Sequence, residues 1–333
     1  MRDTFRSSVL VAVMLLFVIA SGKMVLAQTV SDQAKPVLDR AIQFVGGAAN
    51  IRAVNDFDTR SEGLLISPQG AMKIRSHSIT VYPGIYRYEY KLSLGRKSMS
   101  VEAFFDGTNG WRMADGGLKD MNEDEKNGTR QEMFNANLLR LIGSPTVIYE
   151  GKSGGNDVLL FGLGDLSARL HVDLTGQVVK LAYRDKTDDI EETFSDYREV
   201  GGVKMAYKVS ATRNGQKFLD AQITEATANT NPSLEKLAQK PGGQPLSATY
   251  LATIAPLKLP ALYVSAQTPA DQLQLKTDNS LSLQEAGQAY HGTFVINGNL
   301  IELNITETNA KTTLTRQGVD LTDSSGQTWT FRK

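Results

Sequence analysis

The chain has 333 residues, with 36 Lys and Arg against 36 Asp and Glu, three histidines and no cysteine. Without cysteine there can be no disulfide and no lipid-modified N-terminal cysteine, so stability has to come from packing. The balanced charge argues against nucleic acid as a partner, which would call for a basic excess.

Arg2 and Arg6 precede an apolar run from Val9 to Ala20, and Val25-Leu26-Ala27 offers small residues where a signal peptidase reads. Residues 1–27 are therefore expected to be a signal peptide. The run is shorter than the roughly 20 apolar residues that span a bilayer, so a periplasmic or secreted protein without a permanent transmembrane segment is expected. Cleavage would remove Arg2, Arg6, Lys23 and Asp3 and leave a slightly acidic chain.

Beyond the leader, Val37, Leu38, Ala41, Ile42 and Val45 fall at helical spacing, which predicts a helix over Ser31–Val45 stopped by Gly46-Gly47. Ile51–Val54 adds a short turn. The period then becomes that of strands: Phe57–Ser67, Ala71–Tyr82 and Ile85–Leu94 are separated by Pro68-Gln69-Gly70 and Pro83-Gly84, an antiparallel meander. Tyr86, Tyr88 and Tyr90 share one face of the third strand. In the second, Met72 and Ile74 are out of phase with Ile79 and Val81, which predicts a bulge over Ser76–Ser78. A hairpin follows, Val101–Phe105 turning through Asp106–Gly110 into Trp111-Arg112-Met113.

An acidic stretch, Asp120–Gly128, leads to Thr129-Arg130-Gln131-Glu132, the spacing of a capping box, and to a helix whose stripe is Phe134, Leu138, Leu141 and Ile142 before Gly143-Ser144-Pro145. Six more strands are predicted: Val158–Leu163, Leu166–Leu174, Val178–Tyr183, Ile190–Val200, Val203–Thr212 and Lys217–Ala226. Residues 229–247, with Lys240-Pro241-Gly242-Gly243-Gln244-Pro245, read as a linker between a domain at 28–228 and a small all-β module at 248–333. In that module seven short strands are predicted, with Asn297-Gly298 as a strong hairpin signal.

The search for chemistry finds little. His77, His171 and His291 lack partners at metal-ligand spacing, no G-x-S-x-G or phosphate loop occurs, and Asp120, Glu123, Asp124 and Glu125 lack the alternation of a calcium loop. No enzyme, metal or cofactor is expected. What remains is apolar surface: Tyr86, Tyr88, Tyr90, Phe104, Trp111 and Met113 on strands, Met133, Phe134, Leu138 and Leu141 on the helix. These form either an ordinary core or the lining of a cavity between curved sheet and helix. Phe104 and Trp111 are the first choices as lining, Phe104 because it is out of phase with Val101, Ala103 and Phe105.

The N-terminal helix ending in Gly46-Gly47, the turn Phe105-Asp106-Gly107-Thr108-Asn109-Gly110-Trp111, and Asp196-Tyr197-Arg198-Glu199-Val200-Gly201-Gly202-Val203-Lys204-Met205-Ala206-Tyr207 give residues 31–228 a pattern that resembles the LolA/LolB-like superfamily of periplasmic lipoprotein carriers. The resemblance implies a mainly β, α+β fold, a curved antiparallel half-barrel with helices on its concave face over an apolar cavity that accepts acyl chains. Such carriers do not bring a module like 248–333. That module, through Gly287–Phe294 and Gly326–Trp329, is similar to small lipocalin-like β modules and is expected to be a barrel or sandwich. Ala41–Ala48 also resembles domains appended to insulinase-type zinc peptidases, whose zinc motif this chain lacks. The resulting expectation is non-enzymatic binding of a hydrophobic ligand or lipoprotein. The alternative is a scaffold that binds another envelope protein and fills its core with its own side chains.

Overall fold

Alternating strands with one apolar face must curl or be covered, and here both happen. The computed structural model describes residues 30–67, 70–114, 117–141, 145–297 and 299–332. The expected leader, the Pro68-Gln69 part of the first turn, Ile142 with Gly143-Ser144, and Gly298 lie outside the described residues.

Two helices come first, α1 (Lys35–Val45) and α2 (Ala48–Ala53). Six strands follow: β1 (Asp56–Ser67), β2 (Gly70–Val81), β3 (Ile85–Leu94), β4 (Lys97–Phe105), β5 (Gly110–Ala114) and β6 (Gly117–Asp120). After α3 (Glu123–Asn137) come β7 (Thr146–Ser153), β8 (Asn156–Leu163), β9 (Leu166–Val172), β10 (Val178–Asp185), β11 (Asp188–Val200), β12 (Val203–Arg213) and β13 (Gln216–Ala228). All 13 form one antiparallel sheet in the order β6-β5-β4-β3-β2-β1-β13-β12-β11-β10-β9-β8-β7. The chain leaves at one edge and re-enters at the other, so its first and last strands meet in the middle. The connection carrying α3 has to travel from edge to edge, and it does so across the concave face.

The helix α3 begins earlier than Thr129. Asn122 is its cap, accepting the Glu125 N–H at 2.9 Å while Glu125 Oε2 accepts the Asn122 N–H at 3.1 Å. The acidic stretch is thus the first turn, where carboxylates oppose the positive end of the helix dipole. A short 3₁₀ turn, Leu138–Arg140, ends it, and Leu141 adopts φ 54°.

Along β2 the register with β1 and β3 is unbroken. The bulge predicted at Ser76–Ser78 is therefore absent, and a register shift lies instead between Arg60 and Ser61, where β1 pairs with β13. The change of phase has another cause: Met72 and Ile74 face the concave side, whereas Ile79 and Val81 face a second cover on the convex side. That cover is the segment after β13, with α4 (Leu234–Ala238) and α5 (Ala248–Ile254).

On the concave side Val37, Leu38 and Ala41 of α1 and Phe134 and Leu138 pack on Leu159, Phe161, Leu170 and Leu181. Arg40 closes this contact with a 2.6 Å ion pair to the nearly buried Asp157. The two glycine pairs singled out above meet in space. Gly46 has φ 130°, and a Cβ there would lie 2.5 Å from the Gly202 carbonyl oxygen, so only glycine lets α1 end against the β11–β12 turn.

The C-terminal part is a closed barrel of eight strands: β14 (Ala261–Ser265), β15 (Gln272–Leu275), β16 (Ser280–Glu285), β17 (Gln288–Asn297), β18 (Leu300–Ile305), β19 (Ala310–Gln317), β20 (Asp320–Asp323) and β21 (Thr328–Arg332). Of the two forms expected, barrel or sandwich, it is the barrel. The strand that closes it is β14, paired to both β15 and β21, a strand the sequence reading lacked.

Candidate functional site

Sheet alternation divides the six strand residues among the ten singled out in the sequence into two groups on opposite faces. Tyr86 pairs across to Phe105, Tyr88 to Ala103 and Tyr90 to Val101, all on the concave side. Their rings follow one another at 5.2 Å and 6.1 Å between centroids, the second pair parallel within 4°. Phe104 pairs with Trp111 on the other side, together with Met113. Phe104 and Trp111 are 1% and 2% exposed, stacked at 6.3 Å, and packed beneath Leu237 and Ala238. The Trp111 indole N–H donates to the Ala238 carbonyl at 3.1 Å, and Arg87 donates to the Leu237 carbonyl at 2.5 Å. The two first choices thus stand outside the concavity and line instead a separate space of about 520 Å³ beside the segment after β13, with Ala238, Leu246 and Tyr250. Being out of phase with Phe105 puts Phe104 on the convex face, and the segment after β13 covers it there.

Phe134 and Leu138 belong to the packed concave core, with Leu141 partly buried against it, and Met133 is buried on α3. Of the ten, Leu138 alone lines the apolar cavity that opens inside the concavity, a space of about 310 Å³. Its other walls are Ile51 and Phe57 near α2, Tyr82, Leu139 and Arg140 from the turn after α3, and Leu181, Phe194, Met205 and Val209 from β10–β12. The volume lies at the low end of the about 300–1,000 Å³ usual for small-molecule sites. The sequence carried a usable signal for these strand residues, since Phe194, Met205 and Val209 each sit within an alternating run. The runs alone do not say which face the helices cover.

A second feature of the concavity is acidic. Glu132 on α3, an exposed residue, lies near the tyrosines of β3 and near Glu192 and Asp185 of β10–β11. Burial, with the negative charges of Glu192 and Asp185, pushes its carboxyl up to about 7. Burial likewise raises Glu192, although the Tyr183 hydroxyl donates to it at 3.0 Å. Tyr86 and Tyr88 are raised first by burial and then by Glu132. The Thr129–Glu132 spacing reads locally as a capping box, whereas the cap is Asn122, seven residues before Thr129, which leaves Glu132 within the helix and facing the concavity.

His77 bridges Asp58 and Glu89 at 2.8 Å and 2.9 Å, and His171 is buried on the convex side with its pKa lowered by burial and by Lys180. Among the described residues no group of three or more His, Asp and Glu stands close enough to hold a metal ion, and no helix is long and apolar enough to cross a membrane.

No protein-family model and no curated protein matches the chain. Among solved structures it is similar to a domain assigned to an outer membrane lipoprotein-sorting protein from Vibrio parahaemolyticus, at 13% identity over 61% of this chain and 94% of that one, with a TM-score of 0.42. A DUF1329 family protein from Desulfovibrio piger matches at 10% identity over 61% and 96%, TM-score 0.42. A LolA superfamily protein from Nitrosomonas europaea matches at 9% identity over 62% and 97%, TM-score 0.43. At such identities the likeness to these lipoprotein-sorting and LolA-superfamily structures is one of fold.

Proposed function

We propose that the concavity of the large sheet is a binding site for an apolar ligand, an acyl chain, lipid or lipoprotein anchor, and that the protein acts as a non-enzymatic carrier in the cell envelope. The observation that supports this most is the cavity of about 310 Å³ between α2, the turn after α3 and strands β10–β12, walled by aliphatic and aromatic side chains. Affinity would come from burying hydrocarbon, roughly 0.8 kcal/mol per CH₂. The competing scaffold reading calls for a core filled by the protein's own side chains, and an apolar space of this size on the covered face speaks against it. Native mass spectrometry of the protein purified from the envelope, followed by lipid extraction, tests the proposal. A co-purifying acyl species near one per chain is the expected result. A clean apo mass that takes up neither fatty acid nor lipopeptide would leave the scaffold as the working description.

A further inference from the structure

A second space lies between the large sheet and the barrel, about 660 Å³ in volume, with walls from Arg52, Tyr82 and Arg140 on one side and Leu257, Leu259, Phe294 and Ile296 on the other. It shares Tyr82 and Arg140 with the concave cavity, so the two spaces adjoin at that pair. The two regions are held in place around it by Thr108 Oγ1 donating to Asn299 Oδ1 at 2.7 Å, and by Arg316 donating to the carbonyls of Ala255 and Ala252 at the end of α5.

Arg140 stands at the junction without an anionic partner. Its Nη2 donates to the Val54 carbonyl at 2.8 Å and its guanidinium lies 3.5 Å from the centroid of the Tyr82 ring. Among the described residues no carboxylate pairs with it, and Arg52 beside it has neither an ion pair nor a hydrogen bond and is exposed. The one carboxylate lining the space, Asp278, is taken up by the Ser280 N–H at 3.0 Å and hydroxyl at 2.6 Å. Burial lowers the Arg140 pKa, with Tyr82 acting in the opposite direction. The concave cavity is lined by two cations, Arg140 and Lys204, and by no carboxylate. Glu132 and Glu192 are not among its walls.

We propose that the ligand is an anionic amphiphile, its hydrocarbon chain in the concave cavity and its carboxylate or phosphate held at the mouth by Arg140 and Arg52. This rests on the carrier reading and adds the headgroup chemistry. A guanidinium presents paired N–H donors in the plane that a carboxylate or phosphate accepts, and the barrel supplies an apolar wall beside it. The barrel thereby forms one side of the head site.

The test is equilibrium binding of palmitate, 1-palmitoyl lysophosphatidate and uncharged hexadecanol to the full chain without its leader. Both anions should bind at least about tenfold tighter than hexadecanol, in the range of one charge-assisted hydrogen bond. Arg52→Gln, an exposed change that leaves the packing alone, should weaken both anions several-fold and leave hexadecanol unchanged; Arg140→Gln should weaken them more. Tighter binding of the lysophosphatidate would assign a phosphate head, and equal or tighter binding of palmitate a carboxylate. Hexadecanol binding as tightly as the anions, or Arg52→Gln without effect on them, would overturn the headgroup proposal and leave the carrier reading standing. Failure of all three to bind would overturn both.

Discussion

The barrel and the large sheet solve the same problem in opposite ways. Eight strands closed on themselves leave an interior that Tyr263, Leu273, Leu275, Leu281, Ile301, Leu303, Leu321 and Trp329 fill, every one of them nearly or wholly buried. The 13-stranded sheet is too wide to be filled from within; three helices occupy part of its concave side and a cavity remains. A barrel of the width that could hold a ligand therefore holds its own side chains, and the space for a ligand lies in the sheet that does not close.

The largest expected effect is in the filled interior. Leu281→Ala, at a side chain 1% exposed, should cost about 4 kcal/mol, the transfer loss plus a cavity with nothing able to collapse into it. Guanidinium unfolding followed by fluorescence reads this well, because the chain has two tryptophans, Trp111 in the sheet and Trp329 in the barrel. A loss under 1 kcal/mol would mean that the barrel interior is looser than its burial indicates.

Trp111→Ala comes next. It removes a buried indole, its hydrogen bond to the Ala238 carbonyl, and the face over which the Arg87 guanidinium sits at 5.2 Å, and should cost about 3 kcal/mol. Acyl binding should be unchanged in the protein that remains folded. Weaker binding in proportion to the other cavity variants would place Trp111 at the ligand and upset the division between faces. Phe194→Ala should do the reverse: it lines the open space and is only half-buried, so about 1 kcal/mol of stability is at stake, while palmitate binding should fall about tenfold.

How much of this was legible in the sequence follows from the range of the interactions. The limits of β3, Ile85–Leu94, and the hairpin at Asp106–Gly110 are written in local alternation and turn chemistry, and both stand where the sequence puts them. β7 was missed because its register shifts between Tyr149 and Gly151, which breaks the period of two, and β6 because its four residues are all exposed. The candidate site suffered a different loss. A period of two separates Tyr86 from Arg87 and Phe104 from Phe105, but which of the two faces carries helices is decided by residues 123–140 on one side and 229–254 on the other. For Trp111 the deciding contact, Ala238, lies 127 positions away, beyond the reach of any local pattern.

The smallest effect is the one that probes the unfilled concavity most directly. Glu132 is a carboxyl raised from 4.5 to about 7 in the folded chain, chiefly by burial. Its charged form is disfavoured there relative to the unfolded chain, so the folded state binds this proton more tightly. Stability connected with Glu132 is therefore fully present below the unfolded value of 4.5 and is lost as pH rises through about 7. In Glu132→Gln, which cannot ionise, that loss disappears: the variant should melt with the wild type at pH 4 and above it at pH 8, by a margin reduced because water reaches the group. A parallel pair of melting curves from pH 4 to 8 would mean that water solvates Glu132 as fully as it would at the outer surface, and the concavity would then be an open trough with no enclosed interior for hydrocarbon.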